Sequence, residues 1–163
     1  MAIPVAIAPA NERELALRRI VAARPRQLWC SWAEADLFKL WFCPRPWFVS
    51  HAEIELRAGG TCFAEMCGPS GERHTHRGVF LEAAENRKIV LTDAFVSAWE
   101  PSEKPFIVAT VTLEDHPGGT LYTVRVGHWS VEDRERHEAM GFSQSWGIVI
   151  DQIEHVANTL SQA

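Results

Sequence analysis

Hydrophobic positions follow two different periods along this chain. Trp146, Val149, Ile150, Ile153, Val156, Ala157 and Leu160 recur at steps of three and four residues, the spacing that gathers side chains on one face of an α-helix. Ser130, followed by Glu132 and Asp133, supplies an N-cap and an acidic first turn, so a long helix is predicted from Ser130 to Leu160. Gly141 and Gly147 interrupt its first half, each at a cost of about 1 kcal/mol relative to alanine. Space beside the helix for strands or a ligand would favour them. Near the other end of the chain, residues 12–22 alternate instead, with Leu15, Leu17, Arg19 and Val21 on one face of a first strand. Pro25 then opens a short helix carrying Leu28, Trp29, Trp32 and Ala33, and Asp36 can cap a second that Pro44 and Pro46 end.

After Pro46 the period-2 signal repeats. Residues 47–57, 61–67, 74–84, 87–95, 104–115 and 120–129 each read as strands, and the turns Ala58-Gly59-Gly60, Gly68-Pro69-Ser70-Gly71 and His116-Pro117-Gly118-Gly119 join neighbours as hairpins. With the first, that makes seven strands, and residues 96–104 read as a longer, mobile loop. Sequential hairpins form an antiparallel sheet that must be covered on one face. The predicted fold is α+β: a curved antiparallel sheet around a long C-terminal helix, two short helices after the first strand, and a cavity between helix and sheet. Residues 1–11 read as a flexible tail that lacks the basic region of a signal peptide, and 12–163 as a single domain.

Composition narrows the function. A net charge of −5 with no Lys/Arg run argues against nucleic acid and against an anionic membrane surface. No apolar run approaches the roughly 20 residues of a membrane span, and the expected location is cytoplasmic. Cys30, Cys43, Cys62 and Cys67 form no CxxC pair and read as reduced thiols. Seven Trp and eight Phe against one Tyr fill a core or line an apolar cavity.

The order of elements, with the stretches 28–44 (LWCSWAEADLFKLWFCP), 56–72 (LRAGGTCFAEMCGPSGE), 77–95 and 140–160, resembles the START-like helix-grip superfamily. Within it, the chain is similar to bacterial proteins related to the activator of the heat-shock-protein-90 ATPase and to polyketide cyclases. The resemblance spans roughly residues 13–160 and implies the helix-grip fold. Phe42 and Cys43 stand where the family usually has a second Trp and a Gly before the proline, and Cys62 replaces an aromatic after the Gly-Gly turn. These departures imply a differently shaped pocket.

Candidate chemistry is sparse. Asp93 shares a strand face with Ile89, Leu91 and Phe95, and if that face is concave its carboxylate is an acid, a base or an orienting acceptor. The alternative is a strand-end Asp bonded to nearby backbone. Glu65 and Arg77 are the other catalytic candidates, though Arg77 and Arg125 also suit cross-strand ion pairs on the convex face. His74 and His76 project from one face; a third ligand from Glu65 or His128 would be needed to hold a metal, and no complete metal motif is visible. No nucleophile elbow, P-loop or dinucleotide fingerprint occurs, so neither a metal nor a cofactor is expected. The leading expectation is a small hydrophobic or aromatic ligand walled by Trp29, Trp32, Trp41, Phe42, Met66, Phe80, Phe95, Trp99, Tyr122, Met140, Phe142 and Trp146. The resemblance implies two alternatives: a cyclase or dehydratase acting on a polyketide-like substrate, and a module that activates a chaperone ATPase. Exposed edge strands leave a homodimer open.

Overall fold

Alternation decides the first long strand, because Leu15, Leu17, Arg19 and Val21 are buried while Arg18 and Ile20 are exposed. The computed structural model describes residues 4–160, and its elements follow in chain order. They are β1 (Val5–Ala6), β2 (Glu14–Val21), α1 (Pro25–Ala33), α2 (Ala35–Phe38), β3 (Phe48–Ile54), β4 (Thr61–Cys67), β5 (Arg73–Ala84), β6 (Lys88–Thr92), β7 (Phe95–Ser97), β8 (Glu100–Pro101), β9 (Ile107–His116), β10 (Gly119–His128), α3 (Val131–Ala139) and α4 (Phe142–Asn158). Eight strands form one antiparallel sheet in the order β1-β2-β10-β9-β6-β5-β4-β3. The inner face carries Leu17, Val124, Val111, Leu91, Phe80 and Cys62, one from each of six successive strands, and α4 lays Val149, Ile150, Ile153 and Ala157 against the same core. This is the helix-grip architecture expected from the resemblance.

Four details differ from the sequence reading. The eighth strand of the sheet is β1, which pairs Val5 with Arg18 and Ala6 with Leu17 inside the stretch expected as a tail; residues 1–3 of that tail lie outside the described residues. Within the expected loop, β7 and β8 form a small separate hairpin. Asp36 lies inside α2 rather than at its cap, which is Glu34. Finally, the single long helix is two. Ser130 does cap the first, its Oγ accepting from the Asp133 N–H at 3.1 Å, but α3 buries no residue and ends at Met140. Gly141 follows at φ +91°, a left-handed conformation that costs glycine least. Its carbonyl accepts from Ser145 N–H and so starts α4. Gly147 sits on the outer side of α4, where an added Cβ would meet only the Pro4 ring at 3.6 Å. Neither glycine yields space to the concave side, so that expectation is corrected.

Candidate functional site

At one end of the concave face, neighbouring strands place a row of polar groups. His128 on β10 pairs with Ile107 on β9; Val108 beside it pairs with Thr92 at the end of β6; and Thr92 pairs with Val79 on β5. Asp93 follows β6, and His76 shares its strand face with Gly78 and Phe80, so both belong to this end of the sheet.

His76 is the group with an unmet demand. Its Nε2 is shielded from solvent and has no hydrogen-bond partner, and its ring lies 5.8 Å from that of Phe42. Burial pushes the imidazole down to about 4, with Asp93 opposing the shift and His74 adding to it, so the ring is neutral near pH 7. Asp93 is already engaged: one carboxylate oxygen accepts from the Phe106 and Ile107 N–H groups at 2.8 and 3.0 Å, fastening the chain where it enters β9. Alongside stands a second pair. His128 Nδ1 is 2.8 Å from the Arg13 carbonyl, and its Nε2 is 2.8 Å from His137 Nδ1 on α3. A carbonyl only accepts, so His128 Nδ1 carries a proton, and the inter-ring contact holds one proton between two nitrogens. Burial first, and His128 second, hold His137 down to about 4. Phe106 packs against both rings, at 5.5 and 5.2 Å, and Phe142 against His137 at 5.3 Å.

The three catalytic candidates do not converge. Asp93 is spent on the β9 entrance. Glu65 accepts from Ser50 Oγ at 2.7 Å and lies near Arg73, while the Arg77 guanidinium covers the Phe63 ring at 4.6 Å. Glu65, Arg77 and Phe63 alternate with the inward Cys62, Ala64 and Gly78, so all three face the convex side. Arg125 likewise pairs with Glu14 across strands at 2.7 Å. His74 is exposed, and among the described residues no three His, Cys, Asp or Glu side chains group to hold a metal. Burial raises the Cys43 thiol to about 11, with Cys67 adding to the shift, and it also raises Cys62. Both are poor nucleophiles.

The expected ligand wall separates into three groups. Trp32, Trp41, Phe80 and Tyr122 are fully buried. Trp32 Nε1 donates to Tyr122 Oη at 3.0 Å and Trp41 Nε1 to the Ser31 carbonyl at 2.9 Å, so their polar atoms are mutually satisfied. With Phe38 they pack ring against ring, Trp32 lying 4.8 Å from Trp41 and 5.9 Å from Phe38. Burial raises the Tyr122 phenol further. Trp29, Phe42, Met66 and Trp146 are only partly buried against this core, and Phe142 is buried. Phe95 and Trp99 pair edge-to-face on the β7–β8 hairpin, with Trp99 59% exposed, and Met140 is 67% exposed beyond α3. The unpartnered His76 nitrogen and the His128–His137 pair were not named as ligand contacts from sequence. Alternation with Gly78 and Phe80 was the available signal for His76. None existed for His137, which lies among charged neighbours on a helix.

A family model described as Activator of Hsp90 ATPase homolog 1-like protein matches residues 22–158. Among solved structures, one from Nitrosomonas europaea is 32% identical with a TM-score of 0.87, covering 91% of this chain and 96% of that one. Another, from Rhodobacter sphaeroides, is 21% identical with a TM-score of 0.82, over 97% and 99% of the two chains. An AHSA1-like protein from Aeromonas hydrophila is 14% identical with a TM-score of 0.69, over 90% and 92%. No curated protein matches the chain. Because the matched model spans most of the sequence, from the residue after β2 to the end of α4, this chain belongs to the Activator of Hsp90 ATPase homolog 1-like family.

Proposed function

We propose that the chain binds a small, largely apolar or aromatic molecule carrying one hydroxyl group at the end of the concave face that holds His76. The observation behind this reading is the buried, unpartnered Nε2 of His76. A buried polar atom without a partner is costly, about 1–3 kcal/mol, and a ligand that meets it recovers that cost. The imidazole is neutral near pH 7, so neither anions nor cations gain a charge partner there. A hydroxyl both donates and accepts, and thus satisfies either tautomer. Phe42 supplies an aromatic neighbour, and half-buried Trp29, Met66 and Trp146 stand against the adjoining core. Helix-grip members of this family often bind ligands. Asp93, Glu65 and Arg77 each have another partner on two faces of the sheet, which favours binding over acid–base catalysis.

The test uses two probes of nearly equal shape, 2-naphthol and naphthalene, followed by tryptophan fluorescence. Wild type should bind 2-naphthol about tenfold more tightly, and His76→Phe should erase the preference by weakening only 2-naphthol. Equal affinities in wild type, or a preference that survives His76→Phe, would overturn the assignment.

A further inference from the structure

The concave side is not the only recess beside α4. On its outer flank, Asp151, Gln152, His155 and Thr159 follow one another at helical spacing. They face the segment from the end of α2 to the start of β3 across an open groove of about 860 Å³. That volume is in the range of small-molecule sites. One wall is apolar: Leu40 is 64% exposed, Phe48 is 56% exposed, and Trp47 is half-buried between them in the lining. Large apolar side chains left open together on a recessed surface mark binding sites more often than scattered ones do.

Charge on the two walls is unequal in effect. Asp151 and Glu154 belong to the helix wall, but both are turned to the buried Arg19 guanidinium. The second oxygen of Glu154 also accepts from the Ala22 N–H at 2.7 Å. Opposite them, among the described residues, Arg45 pairs with no carboxylate, and Lys39 has only the solvent-exposed Asp36 at 3.7 Å, a contact worth little. Two cations therefore stand beside an aromatic and aliphatic wall with little to neutralise them. The groove is also held in shape. Gln152 donates to the Trp41 and Cys43 carbonyls at 3.0 and 2.8 Å and accepts from the Arg45 N–H at 3.1 Å, tying the cationic segment to the helix through backbone atoms. A site whose wall is pinned in advance loses less entropy on binding.

We infer that this outer groove is a second binding site for a small amphipathic anion, an aromatic carboxylate whose ring lies on Leu40, Trp47 and Phe48 and whose charge meets Arg45 and Lys39. It is separate from the His76 site in face and in charge preference: a neutral imidazole offers an anion no opposite charge, and two weakly paired cations gain little from a neutral alcohol.

Calorimetric titration of 2-naphthoate into the full-length chain tests this. One molecule should bind per chain at low ionic strength, with affinity falling as salt rises. Arg45→Gln keeps the backbone bond to Gln152 and should weaken 2-naphthoate about tenfold; Lys39→Gln should do so less, and neither should alter 2-naphthol binding. His76→Phe should leave 2-naphthoate unaffected. The inference is overturned by absence of binding, or by affinity unchanged in both cation variants. Loss of 2-naphthoate in His76→Phe would overturn it too, since the anion would then be entering the concave site. Sedimentation that finds a dimer dispersed by Phe48→Asp would assign the groove to a second copy of the chain and also overturn it.

Discussion

His76 and His137 are imidazoles that folding holds neutral, and this gives stability a pH dependence with a definite sign. Each is lowered from 6.5 to about 4, chiefly by burial, so between those values the unfolded chain binds protons that the folded chain refuses. The contribution is complete above about pH 6.5 and is lost as pH falls towards 4. For the His128–His137 pair the reason is visible in the bond itself, since a second proton would set N–H against N–H across 2.8 Å. Thermal midpoints should therefore fall more steeply below pH 6.5 in wild type than in His76→Phe; parallel profiles would contradict the buried neutral ring. Arg19 is a different case. Its place on the inner face with Leu15, Leu17 and Val21 was legible from alternation alone, but its partners, Asp151 and Glu154, lie more than 130 residues away. Arg19→Ala would remove the buried guanidinium that the part-buried Asp151 and Glu154 share, at a cost of about 3 kcal/mol, measurable by urea unfolding.

Among the elements, the broken C-terminal helix carries the clearest contrast. Both glycines read as defects in one helix, yet they occupy unlike positions. Gly141 stands at φ +91° between α3 and α4, where a Cβ meets the following carbonyl, so Gly141→Ala should destabilise by about 1–2 kcal/mol. Gly147 is inside α4 with ordinary contact distances to Pro4, so Gly147→Ala should stabilise by about 0.5–1 kcal/mol. Denaturant midpoints of the two variants shifting the same way would refute this division. The sequence could not separate the two helices because α3 has no apolar face to lose register with; all of its residues are at least partly exposed. Of the two, only α4 carries the periodic pattern and lays a buried apolar face on the core. The small β7–β8 hairpin escaped notice for a similar reason: two- and three-residue strands are too short to display a period.

For the whole molecule, the sheet's two edges shape its behaviour in solution. β3 ends one side with a register shift between Val49 and His51, the kind of irregularity that discourages strand addition. On the other side the two-residue β1 covers the middle of β2. Deleting residues 1–8 should cost little stability but leave residues 16–18 of β2 open to pairing, so sedimentation should reveal concentration-dependent association absent from the full chain. What the sequence alone determined is the set of buried faces. Leu17 and Val21, Phe80, Ile150 and Ile153 are inside because the periods of strand and helix are properties of the local backbone, and turns at Gly59-Gly60, Gly71 and Gly118-Gly119 follow from the same local geometry. Tertiary structure decided the rest. His76 beside Phe42, His128 against His137, and the outer groove between Arg45 and α4 each depend on strand register, on the break at Gly141 or on the Gln152 clamp. Those are relations between distant segments, and no local pattern encodes a distance across the fold.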